Sequence, residues 1–183
     1  MIFLQQYGVS TAYAAKIYRQ YGKESIDNVK ENPYRLADDI WGIGFKTADG
    51  IASKMGYEKN DLRRCKSGIS YTLNELSNEG HVYAVEEQLI EAAKKLLEAD
   101  EEPIRQAIAE MIISENLIRE NEAIYLPPFY LSERGTAKKL LELMKGQGPT
   151  LFNMQADILA IEKASGIRYD EVQIAAIEQA VRS

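Results

Sequence analysis

Ile40-Trp41-Gly42-Ile43-Gly44-Phe45-Lys46-Thr47-Ala48-Asp49-Gly50-Ile51-Ala52 is the stretch whose reading decides the fold of this chain. Two glycines bracket one aliphatic residue, and a helical pattern follows. Arg35 to Ile40 is expected to end a first helix, Trp41 to Phe45 to turn, and Lys46 to Lys54 to form a second helix that Gly56 stops. Ile43 is expected to plug the core between the helices, with Ala48 small at their crossing and Ile51 on the buried face. Gly42 and Gly44 admit positive φ and place no side chain over the turn. The amides of the turn and of the helix start then converge on one point, an anion site strengthened by the helix dipole. In this reading Gly42, Ile43 and Gly44 supply the amides. Lys46 and Thr47, in the first helical turn, add a charge and a hydroxyl.

The pattern occurs twice. Tyr7-Gly8-Val9-Ser10 aligns with Trp41-Gly42-Ile43-Gly44 at an offset of 34, and Ala14, Ile17 and Gly22 align with Ala48, Ile51 and Gly56. A period of this size also suits helical solenoids, but those need three or more copies and a different residue pattern. The first copy is weaker: Ser10 replaces the second glycine, and Ala12 stands where Lys46 does. Gly8, Val9 and Ser10 are expected to form a second, lesser contact, with Lys16 and Arg19 nearby. A short helix over residues 24–30 separates the copies and ends at Asn32-Pro33.

Downstream, residues 61–131 read as a second unit. Helices are expected over Leu62 to Ser77, Val85 to Leu97 and Glu101 to about Glu115, then two short strands, Asn116 to Arg119 and Ala123 to Leu126. Helices followed by a β-hairpin suggest a winged-helix-like bundle, which Pro127-Pro128 is expected to end. A third segment, residues 132–183, reads as a helix from Ser132 to Lys145 with Ser132 as its cap, a Gly146-Gln147-Gly148-Pro149 linker, and helices over Asp157 to Ala164 and Asp170 to Val181. The fold class expected is mainly α: tandem helix-hairpin-helix units over residues 1–60, then the winged-helix-like bundle with one small hairpin. The last helix runs to the final residues without a stop signal, so the chain reads as a fragment.

Composition bounds the function. The chain has 183 residues, 45% hydrophobic and 27% charged, which suits a soluble globular protein. Cys65 is the single cysteine, so no internal disulfide forms, zinc and iron–sulfur sites are disfavoured, and a reducing, cytoplasmic setting is expected. No apolar run approaches the length of a membrane span, and no membrane partner is expected. The net charge is −6, which weighs against a nucleic-acid binder. Residues 1–80, however, carry 11 Lys+Arg against 10 Asp+Glu, whereas residues 81–183 carry 11 against 18. Phosphate contacts are therefore expected in the first half.

The Gly42-to-Ala48 stretch resembles the helix-hairpin-helix DNA-binding motif nearly position for position. Paired hairpins of that kind hold DNA strands by their phosphates without reading sequence. Tyr21-Gly22, Asn32-Pro33-Tyr34-Arg35-Leu36 and Gly42-Ile43-Gly44-Phe45 with Ala48-Asp49 are similar to the N-terminal region of stand-alone RecD-like helicases, of the RecD/TraA type. These are superfamily 1 motors moving 5′ to 3′. Gly166 to Ile177 resembles the entry helix of such a motor, where a Gln, here Gln173, hydrogen-bonds the adenine of ATP. The phosphate loop that follows in the family, ending Gly-Lys-Thr, is absent from this sequence. The resemblance thus implies an accessory DNA-binding region with no catalytic residue and no cofactor of its own. ATP and Mg belong to a motor expected beyond Ser183, and that motor and single-stranded or junction DNA are the implied partners.

The same residues admit two other readings. Lys46 resembles the amine nucleophile of helix-hairpin-helix DNA glycosylases, but their Asp about 18 residues later is Arg64 here, and Asp61 comes three residues early. A protein-interaction module that packs on a motor or partner without binding DNA is the other, favoured by the net charge. His81, the only histidine, reads as a surface residue after a helix stop, and Glu86-Glu87 and Asp100-Glu101-Glu102 as solvated helix starts. Tyr125 to Tyr130 reads as packing of the wing rather than a base-stacking platform.

Overall fold

The chain is seen in a computed structural model that describes residues 2–145 and 154–182. It divides into two compact units, residues 1–133 and 134–183. The expected Gly146-to-Pro149 linker lies outside the described residues.

The first unit opens with two helix pairs. Helix α1 (Ile2–Gln6) turns into α2 (Thr11–Tyr21), whose start is capped by the Ser10 hydroxyl accepting from the Tyr13 amide at 3.2 Å. A 3-10 turn, Gly22–Glu24, leads to α3 (Ser25–Glu31). The second pair is α4 (Arg35–Asp39) and α5 (Phe45–Lys54). The repeated apolar positions meet in one core: Val9, Ala14 and Ile17 from the first pair, Ile43, Ala48 and Ile51 from the second. Ala14 and Ala48 are fully buried, as their place at the helix crossings requires.

Helix α6 (Leu62–Asn78) starts at Asp61, whose carboxylate accepts from the Arg63 amide at 2.9 Å. Arg64, one residue further, binds the Asp49 carboxylate through Nε and Nη2 at 2.7 and 3.0 Å, and the Tyr34 hydroxyl donates to the same carboxylate at 2.9 Å. This knot ties α5 to α6. Cys65 is buried beside it, and burial pushes its thiol pKa up.

Strand β1 (Ala84–Val85), α7 (Glu86–Leu97), α8 (Glu101–Ile113), β2 (Ile118–Glu120) and β3 (Ala123–Tyr125) follow. Gly68 lets α6 and α7 close up: a Cβ there would stand 2.6 Å from the Leu97 side chain. The mainly α fold with a winged-helix-like bundle is the architecture seen, with one addition. The hairpin is part of a three-stranded antiparallel sheet of order β1-β3-β2, because Ala84 and Val85 pair with Ile124 and Ala123. Two residues are too few for an alternating pattern to register, so the pairing was invisible in sequence. Asn121 makes the β2–β3 turn at φ 55, a region that asparagine tolerates.

Pro127-Pro128 does not end this region but opens a helix, α9 (Pro127–Lys145). A helix's first residues have no internal acceptor for their amides, so prolines cost nothing there. Ser132 is accordingly inside the helix rather than its cap. In the second unit, α10 (Met154–Ser165) and α11 (Glu171–Arg182) follow. No helix among the described residues is long and apolar enough to cross a membrane.

Candidate nucleic-acid interface

The second hairpin turn is built by one positive-φ residue. Gly42 sits at φ 91, where a side chain would be strained, and Ile43 then drops into the core with 2% of its surface exposed. Dropping inward engages its amide: the Ile43 N–H donates to the Ile40 carbonyl at 3.0 Å. Ile43 therefore anchors the turn and supplies no amide to a ligand, contrary to the expectation from sequence. Gly44 also differs from expectation. Its φ is −94, which any residue adopts, and a Cβ on it would meet nothing within 4 Å. The fold has no need of glycine at 44. The space over it is open.

The free donors lie just beyond. Gly44 is the cap position of α5 and has no side chain to cap with. Among the described residues the amides of Gly44, Phe45 and Lys46 have no acceptor, whereas that of Thr47 already donates to the Gly44 carbonyl at 3.0 Å. Helix α5, with 10 residues, aims its dipole and these N–H groups at the open space. Phe45 is buried between Tyr34 and Tyr71, at ring separations of 6.2 and 5.3 Å, and so fixes the helix start. Lys46 is exposed, its ammonium 5.6 Å from the Tyr71 ring centre; Thr47 is half-buried.

In the first hairpin Gly8 has φ 79 and Val9 is 3% exposed, as the repeat requires. Here both turn amides are consumed internally: Gly8 N–H donates to Gln5 at 2.9 Å and Val9 N–H to Leu4 at 3.2 Å. Neither reaches a ligand. Ser10 is exposed, but its hydroxyl oxygen is occupied by the cap on α2.

The two turns are braced by each other's helices. Lys16 of α2 is half-buried and reaches the second turn, donating to the Trp41 carbonyl at 3.1 Å, while the Tyr13 hydroxyl donates to the Gly42 carbonyl at 3.3 Å. In the opposite direction Lys54 of α5 lies over the first turn, so close that a Cβ on Gly8 would stand 2.1 Å from its ammonium. Sequence reasoning singled out Lys16 but missed Tyr13, Trp41 and Lys54. The 34-residue offset carried a signal only for residues that recur in both copies, and these braces do not recur.

Charge separates the hairpins from the rest of the unit. Among the described residues, Lys16, Arg19, Lys23, Lys30, Lys46 and Lys54 have no carboxylate partner, and only Arg35 up to that point forms an ion pair, with Asp39 at 3.9 Å. In the rest of the first unit, again among the described residues, Lys59, Arg63, Arg64, Lys66, Lys94, Arg105 and Arg119 are paired, and Lys95 is not. Glu86 binds Arg119, and Glu87 and Glu101 bind Arg105; Arg105 holds the pKa of Glu87 below the usual carboxylate range, and Lys94 together with Arg105 does the same for Glu101. Among the described residues no His/Cys/Asp/Glu group has the arrangement of a metal site. Arg64, which stands where the glycosylase reading needs an Asp, is the salt-bridge partner of Asp49, and Asp61, three residues early, is a helix cap. Tyr125 packs between Tyr83 and Tyr130, at 5.3 Å from each. His81 is exposed in the turn after α6.

Gln173 has a local explanation. The Gln173 amide donates to the Asp170 carboxylate at 2.9 Å, and the Asp170 amide donates to Gln173 Oε1 at 3.1 Å. This reciprocal capping box occupies the oxygen that an adenine amino group would use.

Residues 1–83, which contain both hairpins and α6, match the family described as the ATP-dependent RecD2 DNA helicase HHH domain. The chain therefore carries an N-terminal helix-hairpin-helix region of the RecD2-helicase type.

Proposed function

We propose that the chain binds DNA by its backbone, without sequence preference, as the accessory region of an ATP-dependent RecD2-type helicase. The observation that carries this reading is the set of unclaimed amides of Gly44, Phe45 and Lys46 beneath open space, beside an unpaired lysine. A phosphate oxygen fits such a place, because it accepts several N–H bonds at once and is drawn by the helix dipole. Lys46 and the Thr47 hydroxyl complete this contact. Gly8, Val9 and Ser10 place the first hairpin beside it, with Lys54 and Lys16 supplying the charge that Ala12 lacks. Single-stranded or junction DNA is the partner proposed.

ATP and Mg are assigned to a motor, not to these residues. The sequence has no phosphate loop, and Gln173 is engaged in its capping box. No step of ATP chemistry is assigned to this chain.

The bundle over α6–α8 supports a different role. Its second packed helix, α8, would be the one to enter a groove in a helix-turn-helix arrangement. Its exposed positions are Glu102, Gln106, Ala109 and Ile113, which offer no cation to a phosphate. This acidic part of the unit suits a protein surface, and it accounts for the net charge of −6 without opposing DNA at the hairpins.

Titration of labelled single-stranded DNA at two salt concentrations tests the proposal. Affinity is expected to fall as salt rises, with a slope of about 0.7 per phosphate contact. Lys46→Glu is expected to weaken binding and to reduce that slope by roughly one contact. Equal binding by variant and wild type at both salt concentrations would overturn the reading.

A further inference from the structure

Trp41, the only tryptophan, is 93% exposed. Tryptophan is a large apolar ring that folded chains seldom leave uncovered. Its counterpart in the first hairpin, Tyr7, is treated differently: it is half-buried and packs edge-on against Phe3, with ring centres 4.9 Å apart. The fold thus has a way to cover a ring at this position, and uses it in one hairpin only.

The bare ring stands at the lip of the phosphate site. Gly44 is three residues on, at most about 11 Å away along the chain. Around the ring the charge is positive: the Lys16 ammonium lies 5.5 Å from its centre and is bonded to the Trp41 carbonyl, which fixes the base of the side chain. No carboxylate pairs with Lys16, Lys46 or Lys54 among the described residues. An aromatic face beside unpaired cations and free amides matches one nucleotide, its base on the ring and its phosphate on the backbone.

We infer that Trp41 is a stacking platform for an unpaired base of single-stranded DNA, with Lys16 as the residue that positions it. This rests on the backbone-binding reading above and deepens it. In a duplex both faces of each base are taken by neighbouring pairs, so only an unpaired base offers a free face to the ring. The second hairpin therefore prefers single strands to continuous duplex, a preference that amides and lysines alone do not give.

The sole tryptophan makes the test direct. The intact 183-residue chain is titrated with a single-stranded oligonucleotide, a duplex of equal length and an abasic strand, following its intrinsic fluorescence and a label on the DNA. The single strand is expected to quench the tryptophan and the abasic strand to bind without quenching. Trp41→Ala is expected to bind the single strand about tenfold more weakly, with duplex binding unchanged and Trp41→Phe in between. Lys46→Glu is expected to weaken all three. The ring is exposed, so Trp41→Ala should melt like wild type.

If Trp41→Ala binds the single strand as wild type does while Lys46→Glu still weakens every ligand, the stacking inference is wrong and backbone binding stands. If wild type binds none of the three, both fall. Emission that shifts with protein concentration and not with DNA assigns the ring to a protein contact and overturns the inference.

Discussion

At position 10 of the first hairpin stands a serine whose hydroxyl closes its own helix; at position 44 of the second stands a glycine that closes nothing. Both turns use a positive-φ glycine and a buried aliphatic to reverse the chain, and both aliphatics give their amides to the protein. The differences lie outside that shared scaffold. The first hairpin covers its aromatic, Tyr7, and satisfies its cap. The second leaves Trp41 in solvent, leaves three amides without acceptors among the described residues, and is tied to α6 through Asp49 and Arg64. The comparison separates what a hairpin needs to fold from what it leaves open for a ligand. One copy spends its donors on stability, and the other keeps them while a neighbouring helix holds it in place.

The largest effect expected is on the shared scaffold. Ile43→Ala removes a fully buried side chain and should cost about 2–4 kcal/mol. Val9→Ala, which removes one carbon fewer, should cost about 1 kcal/mol less. Urea melts of both variants check this. If Val9→Ala proves harmless, the first hairpin is not packed as its twin is. Next comes the tie that only the second hairpin has. Arg64→Ala leaves the Asp49 carboxylate in a largely covered place without its cation, with the Tyr34 hydroxyl still donating to it, and should cost about 2–3 kcal/mol, whereas Arg19→Ala on α2, which has no such bond, should cost less than about 0.5 kcal/mol.

The caps come third. Ser10→Ala should lower stability by about 1 kcal/mol by freeing the Tyr13 amide. Asp61, the cap of α6, adds a pH dependence. Hydrogen bonds from Arg63 hold its carboxyl pKa below the usual value, so the folded state prefers the ionised form. That contribution is full above the ordinary carboxylate range and is lost as pH falls through the depressed value. Wild type should lose melting temperature below about pH 4 more steeply than Asp61→Asn. The smallest effect on stability sharpens the comparison most. Gly44→Asp supplies the cap that α5 lacks, in open space and at an ordinary φ, and should stabilise by a few tenths of a kcal/mol while a carboxylate displaces the phosphate. Loss of DNA binding with a raised melting temperature is the expected pair of outcomes. Unchanged binding would place the ligand elsewhere.

Much of this was legible in residues 7–56. Gly42, Ile43, Ala48 and Ile51 announce a turn and a buried face by identity and spacing alone, and the copy at Gly8, Val9, Ala14 and Ile17 repeats the announcement. The winged-helix-like bundle was legible from helix periods and a turn, apart from β1, where two residues leave no pattern. Pro127-Pro128 misled because proline both ends helices and begins them, and composition does not say which. The site was legible only to its neighbourhood. That the Ile43 amide is used inside the turn requires knowing that it closes on the Ile40 carbonyl, which neither its identity nor its spacing gives. That Gly44 needs no glycine requires knowing its φ. Trp41 and Lys54 were unreadable as a pair of braces and platforms because their places depend on which helix crosses which turn.

The proposed DNA binding at the second hairpin rests on three peptide nitrogens, and amide chemical shifts report them one by one. Single-stranded DNA is added to the nitrogen-15-labelled chain, and shifts are followed across both hairpins and the bundle. The amides of Gly44, Phe45 and Lys46 should move most, with Ile43, already bonded to Ile40, moving less. Shifts that leave these three in place, or that centre on α8 and the acidic bundle, would contradict it.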